Sequence, residues 1–365
     1  MMIEVPDYNL GPFEFPRGWF MLGSSEELSG SSPKTLHYFG KDMVFYRGET
    51  GTPHLVHAYC PHMGAHMGKN TTSYIVRDGE QVQGDSIRCP FHGWRFGPDG
   101  KCDHVPYAKK GYVPPQATLK TYIVVERAGI IWTWHDPEGL EPDRDLPPFE
   151  QWDQEEEGWV RWGIDNYNVL DIHPVEVVDN MADFGHMMPI HGSIEPAYFD
   201  NVFDGRKVVQ RFDAGHRTLV GDHGSVLSLD TWYDGPSILQ SRMIGEYPSH
   251  MLIAHTPIDK GKLRMWHALM VKIPGGKRAT PEQQKLARAF QDASRDALAQ
   301  DVEIWANKEA CVQPMQIPFD GPYSRVRQWY KQFYNPRAME AEFHKKANGT
   351  VVTFGEGPRA DLAPA

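Results

Sequence analysis

Cys60-Pro61-His62-Met63-Gly64-Ala65-His66-Met67-Gly68 and Cys89-Pro90-Phe91-His92-Gly93-Trp94-Arg95-Phe96 are the stretches on which the reading of this 365-residue chain turns. Cys60 and His62, with Cys89 and His92, make a four-point metal site of mixed S₂N₂ type. Zinc accepts that set, and so does a [2Fe–2S] cluster in which two histidines replace two cysteines on one iron. The surroundings favour the cluster. Glycines beside each pair let two loops approach one cofactor and turn amide N–H groups toward its sulfurs. Zinc fingers group such ligands as Cys-Cys and His-His, whereas here they come as two Cys-His pairs.

Working outward, residues 18–135 read as short strands divided by turns. Strands are expected over 35–42 and 43–51, then over 54–59, which delivers Cys60 at a strand end, and finally over 130–134. The Pro-, Asp-, Glu- and Gly-rich run 136–149 reads as a linker, residues 1–17 stay unassigned, and a second domain is expected over 150–365. There, 175–186 reads as a helix begun by Pro174, and about 202–271 alternates like an antiparallel sheet. A long helix is expected from Pro281 to about Glu309, with Thr280 and Gln283 forming a capping box. The fold class is α+β: an all-β domain, then an α+β domain with a central antiparallel sheet and flanking helices.

A second set of ligand types lies in this domain. Asp183, His186 and His191 fall within one short stretch, but on a continuous helix the two histidines would diverge by about 140°. Pro189 cannot sit inside a helix, so the helix is expected to end near His186 and the chain to bring His191 round to the same ion. Two histidines and one carboxylate make the facial triad of non-haem Fe(II) sites. Along the 281–309 helix, Leu286, Phe290, Ala293, Ala297 and Ile304 form an apolar stripe with Asp301 beside it, whereas Asp292, Asp296 and Glu303 project away. A carboxylate on a buried face needs a partner or a metal, which selects Asp301 as third ligand; an ion-pairing Asp at the core's edge is the alternative. Asp183 stands three residues before His186, within reach of its ring, or else is an ordinary surface acid.

Composition narrows the function. A net charge of −11 argues against nucleic acid as a partner. Eleven Trp and 15 Tyr suit a large apolar cavity. No run approaches ~20 apolar residues, and no leader-like N-terminal segment is visible, so neither a membrane span nor secretion is expected. Of four cysteines, two belong to the metal motif; Cys102 and Cys311 read as plain structural thiols, in keeping with a reducing cytoplasm. His250, His255 and His267 read as core or cavity-wall residues, Glu155-Glu156-Glu157 as a solvated loop, and Met187 and Met188 as pocket-lining candidates. No G-x-G-x-x-G or P-loop is present.

C-x-H…C-x₂-H followed by D-x₂-H-x₄-H resembles the oxygenase component of Rieske non-haem iron oxygenases over nearly the whole chain. The stretches 301–305, 319–322 and 327–334 are similar to the 3-ketosteroid 9α-hydroxylase and cholesterol 7-desaturase branch. The resemblance implies a Rieske domain holding a [2Fe–2S] cluster on Cys60, His62, Cys89 and His92, and a catalytic domain holding mononuclear Fe(II) on His186, His191 and Asp301. It implies a monooxygenase that uses O₂ and two electrons, from a separate NAD(P)H-dependent ferredoxin reductase, to hydroxylate a small hydrophobic substrate of steroid or sterol type. It further implies a homotrimer in which His92 meets Asp183 of a neighbour, giving Asp183 a catalytic role. The 26 residues between His62 and Cys89 exceed the family's common spacing, and 70–81 reads as a lengthened hairpin. Ala65 and Phe91 occupy the places of the supporting disulfide of respiratory-chain Rieske proteins, and Trp94 that of a hydroxyl residue. Fewer hydrogen bonds to sulfur favour the low end of the roughly −150 to +300 mV Rieske range. The same iron site serves desaturation, oxidative demethylation or aromatic hydroxylation; a Rieske electron carrier and a structural zinc protein are the readings from other classes.

Overall fold

Residues 6–30, 32–70, 72–77, 79–215, 227–244 and 247–357 are described in the structure, a computed structural model. Two units divide the chain: one is Phe20–Trp134, and the other joins the chain up to Trp19 with the chain from His135 onward.

Apolar runs too short for helices make the first unit all-β. Its strands are β1 (Gly18–Ser24), β2 (Lys34–Tyr38), β3 (Lys41–Arg47), β4 (Pro53–His57), β5 (Val82–Gln83), β6 (Ser86–Arg88), β7 (Arg95–Phe96), β8 (Cys102–His104), β9 (Thr121–Tyr122), β10 (Val124–Arg127) and β11 (Ile130–His135). They form three small sheets in the orders β1-β11-β10, β2-β3-β4-β9 and β5-β6-β7-β8. Val44, Val56, Ile87 and Phe96 fill one core, and Cys60 and Cys89 are buried in the same cluster. The lengthened hairpin expected over 70–81 is not formed. Its described residues hold no strand, and Thr71 and Asp78 lie outside them. Side chains close this loop instead: Asn70 Nδ2 donates to the Val76 carbonyl at 2.8 Å, and the Val76 N–H donates to Ser73 Oγ at 3.0 Å. Backbone groups captured by Asn and Ser side chains are lost to a strand ladder.

In the second unit the alternating segments build one large antiparallel sheet. Its members are β12 (Trp159–Val160), β13 (Asp165–Leu170), β14 (Ile194–Asp204), β15 (Lys207–Gly215), β16 (Leu227–Asp234), β17 (Ile238–Ile244), β18 (Ser249–Asp259), β19 (Lys262–Lys272) and β20 (Gly349–Phe354). The order is β12-β19-β18-β17-β16-β15-β14-β20, with β13 also on β19. Residues 216–226 and 245–246 of the expected sheet region lie outside the described residues. The helices are α1 (Pro174–Val178), α2 (Pro281–Ala306), α3 (Tyr323–Tyr330) and α4 (Glu340–Ala347). Residues 136–149, read from sequence as a linker, belong to this unit, where Leu146 and Phe149 are buried.

Both bonds of the Thr280–Gln283 capping box are present at the start of α2. The buried face differs from the expected stripe. Leu286 and Ile304 are exposed; Ala297 of that stripe is buried, on a face that also carries Ala287, Gln291, Ser294, Leu298, Asp301 and Trp305. Gln291 Nε2 donates to the Leu269 carbonyl of β19 at 2.7 Å, so a polar residue is the anchor here. The helix expected to run to His186 ends at Val178 and tightens into a 3₁₀ turn at Asp179–Met181. Neighbouring side chains take the carbonyls it would need to continue. Asn201 Nδ2 donates to Met181 O at 2.5 Å, and Gln210 Nε2 to Asn180 O and Met181 O at 3.3 Å each.

Candidate metal centres

Cys60 and Cys89 sit in two loops of the same build. Gly64 N–H donates to the Cys60 carbonyl and Gly93 N–H to the Cys89 carbonyl, each at 2.9 Å. The return bonds run from Cys60 N–H to Ala65 O and from Cys89 N–H to Trp94 O. Both glycines have φ of +74°, a left-handed turn that a side chain would strain. The thiols hydrogen-bond to each other, which pushes Cys60 up and draws Cys89 down. Backbone amides of His62 and Met63 point at the first sulfur, and those of Phe91 and His92 at the second. Amides aimed at buried sulfur suit thiolate and cluster sulfide. The His62 and His92 rings lie 4.7 Å apart, so all four sequence-predicted residues are brought together. Of the neighbours, Trp94 was singled out in the sequence, though not for stacking, and Tyr107 escaped it. The Trp94 indole stacks on His62 at 4.2 Å and 10°, and its Nε1 donates to the Tyr107 hydroxyl at 2.7 Å.

In the second unit, ligand atoms of His186, His191 and Asp301 all lie within 4.8 Å of one another. Asp301 faces both imidazoles, 3.9 Å from Nε2 of His186 and 3.4 Å from Nε2 of His191. Past Met181 the chain makes irregular turns, with one helical turn closed by Ile190 N–H on the His186 carbonyl at 2.9 Å. That turn brings the two rings to 5.1 Å and 76°. Two nitrogens and a carboxylate converging at a largely buried point are a donor set for a divalent ion.

Asp183 stands behind this group. Its Oδ1 accepts the His186 backbone N–H at 3.1 Å, and its Oδ2 lies 3.5 Å from Nδ1 of the ring. Burial alone would raise the Asp183 carboxyl, but the bonds and charge of His186, with the Tyr323 hydroxyl, hold it below the usual range. Burial likewise depresses His186, and Asp183 with Asp301 reverses the sign, so it is raised. On the far side, Gln300 Oε1 is 3.3 Å from Nδ1 of His191. Tyr323 and Gln300 also escaped the sequence reading. Gln300 carries no pattern beyond its place beside Asp301, and Tyr323 is legible only as a neighbour of the 319–322 stretch.

His186, His191 and Asp301 open onto a cavity between the sheet and α2. Met187 lines it, whereas Met188 is 69% exposed and does not. His250, His255 and His267 are buried on sheet strands and bonded to Gln240, Tyr233 and Asp165 respectively. Glu155–Glu157 forms a 3₁₀ turn in which Glu155 and Glu156 pair with Arg161 and Arg278. Among the described residues, no helix is long and apolar enough to cross a membrane.

Comparison with known proteins agrees with both halves of this picture. The Rieske [2Fe-2S] domain model matches residues 18–123, and the 3-ketosteroid 9alpha-hydroxylase C-terminal domain model matches residues 133–334. A 3-ketosteroid-9-alpha-monooxygenase oxygenase component of Rhodococcus rhodochrous is 32% identical over 91% of this chain and 87% of its own length. Cholesterol 7-desaturase of Hemicentrotus pulcherrimus is 29% identical over 91% of this chain and 72% of its own. Among solved structures, Pseudomonas putida CBB5 NdmA with caffeine has the same fold, with a TM-score of 0.68 at 18% identity over 94% of this chain and 97% of that one. Dicamba monooxygenase does so too, with a TM-score of 0.62 at 19% identity over 90% and 98%. With its cysteine–histidine loops in the one matched region and its two-histidine, one-carboxylate group in the other, the chain belongs to the Rieske oxygenases, as an oxygenase component related to the 3-ketosteroid 9α-hydroxylases.

Proposed function

We propose that this chain is the oxygenase component of a monooxygenase that hydroxylates a steroid or sterol-like substrate, a 3-ketosteroid foremost. The observation that carries the reading is the convergence of His186, His191 and Asp301 on a cavity inside a domain of 3-ketosteroid 9α-hydroxylase type. Cys60, His62, Cys89 and His92 would hold a [2Fe–2S] cluster, and His186, His191 and Asp301 a mononuclear Fe(II). When bound, these centres supply electron storage and the reduction of O₂. The protein's own residues do the rest. Asp183 fixes the orientation of His186, Gln300 faces the second nitrogen of His191, and apolar walls keep bulk water from the reacting carbon. Electrons would come from a separate NAD(P)H-dependent ferredoxin reductase. In a homotrimer, His92 of one subunit would bond to Asp183 of the next, linking the two centres through a carboxylate held between two imidazoles.

A second reading is sterol desaturation at the same site, favoured by the similarity to cholesterol 7-desaturase across 91% of this chain. Substrate-dependent O₂ uptake with a surrogate reductase, across steroids, sterols and quaternary amines, tests both. A product with one added oxygen supports hydroxylation, and one lacking two hydrogens supports desaturation. Uptake stimulated by quaternary amines alone would overturn the steroid assignment.

A further inference from the structure

The sheet wall of the cavity that His186, His191 and Asp301 also line carries hydroxyls that an apolar pocket does not need. Three adjacent strands present a polar row in register: Gln210 on β15 pairs with Thr231 on β16, which pairs with Ser241 on β17. All three are buried and line the cavity. Two residues along each strand, on the same face, stand Leu229 with Met243 on one side and Tyr233, Leu239 and Ile253 on the other, the Tyr233 hydroxyl being taken up by His255. The polar row is therefore a confined stripe on a greasy floor.

Its hydrogen bonds do not close. The Gln210 amide nitrogen is committed to the carbonyls of Asn180 and Met181. Thr231 Oγ1 and Ser241 Oγ lie 2.7 Å apart and bond to each other. Two hydroxyls bring two protons, and the bond between them uses one. Neither hydroxyl makes a further hydrogen bond among the described residues. Ser294, a further hydroxyl on the wall, differs. It is held at 2.9 Å by Nε2 of His267, whose Nδ1 meets Asp165 at 2.9 Å.

We propose that Thr231 and Ser241 are specificity-determining residues, donating one hydrogen bond to an oxygen already present on an otherwise apolar substrate. This rests on the reading of the cavity as the substrate site. A buried donor without a partner is costly, and a substrate oxygen at this spot relieves that cost. The bond fixes which end of a largely featureless molecule lies against the sheet, and hence which carbon faces His186, His191 and Asp301.

Equilibrium binding to the iron-loaded protein without O₂ tests the pair directly, using matched ligands that differ in one oxygen. A steroid 3-ketone and its 3-deoxo counterpart form one set, and 2-tetralone and tetralin the other. The wild-type protein is expected to prefer the ketone by about 10-fold or more. Thr231→Val and Ser241→Ala singly keep the preference, because the remaining hydroxyl still carries a proton. The double variant loses it, chiefly by binding the deoxo member more tightly, because no donor is then left unpaired against it. Equal binding of ketone and deoxo ligand by wild type, or a preference that survives in a folded double variant, overturns the proposal. The wild-type comparison needs no variant to fold. If neither steroid binds, the steroid assignment fails while the tetralone–tetralin ratio still decides the role of the hydroxyls.

Discussion

The carboxylate of Asp183 meets His186 at two points, accepting its backbone N–H at 3.1 Å through Oδ1 and facing ring Nδ1 at 3.5 Å through Oδ2. A single acid thus sets both the turn that carries a candidate ligand and the direction of its ring. Asp183→Asn keeps an oxygen for the backbone bond but loses the charge. We expect both metals to be retained while coupled product formation falls by about 10- to 100-fold. Metal analysis beside single-turnover product yield checks this; an unchanged yield would remove Asp183 from the electron route.

Asp301→Ala takes away the carboxylate between the two imidazoles. The variant should lose mononuclear iron yet keep the visible spectrum of the cluster, because its ligands lie in the other unit. Turnover at the wild-type rate would exclude Asp301 as a ligand.

Metal content separates the cluster from the zinc alternative. Purified protein should be red-brown, with about three irons per chain, two in the cluster and one alone. Zinc in the Cys60/His62/Cys89/His92 site would sink the whole scheme.

Gly321 props the turn that leads to Asp183. Its φ is +112°, and a Cβ placed there would come within 1.7 Å of the Ala182 carbonyl oxygen. Gly321→Ala should therefore destabilise the second unit by about 2 kcal/mol or more and impair retention of mononuclear iron. Thermal unfolding together with iron analysis reads both effects; a variant with unaltered melting and iron content would show that the 319–323 loop is not a support.

Three histidines, His250 and His255 buried and His173 half-buried, predict how stability changes with pH. Burial pushes His173 down to about 4, His250 to about 4 and His255 to about 3. His173 also uses its Nδ1 to accept the Val175 N–H at the start of α1. Unfolded, each takes up a proton near the ordinary value of 6.5, while the folded chain refuses it until much lower pH. Stability is therefore insensitive to these groups above pH 6.5 and falls as pH drops from there toward about 4, by about 1.4 kcal/mol per pH unit for each histidine. Urea unfolding between pH 8 and pH 5 measures the slope, and His255→Gln should lower it by one proton. A slope of the opposite sign would refute the assignment.

What could be read from the sequence was local. The cysteine–histidine loops are legible because ligands, turn glycines and amide donors all fall within six residues, Cys60–Ala65 and Cys89–Trp94. The capping box of α2 is local in the same sense. The buried face of α2 was misread because Gln291 and Ser294 turn inward to partners on the sheet, which an apolar stripe does not register. The early end of α1 was hidden for a like reason: its competitors, Asn201 and Gln210, lie on β14 and β15. Asp301 drew notice in the sequence because a carboxylate beside a buried face demands a partner, and it lies with His186 and His191. The Thr231–Ser241 pair exists only once two strands are in register.

The site around His186 is a late event in the life of each molecule. Its donors come from the 186–191 turn and from Asp301, and the turn rests on Gly321 and Tyr323. Until the ribosome has passed residue 320 and the stretch has left the tunnel, this group has neither its full set of donors nor its prop. The cysteine–histidine loops, by contrast, have left the tunnel two hundred residues earlier. The two groups of candidate ligands thus become available one after the other, in an order set by the chain itself.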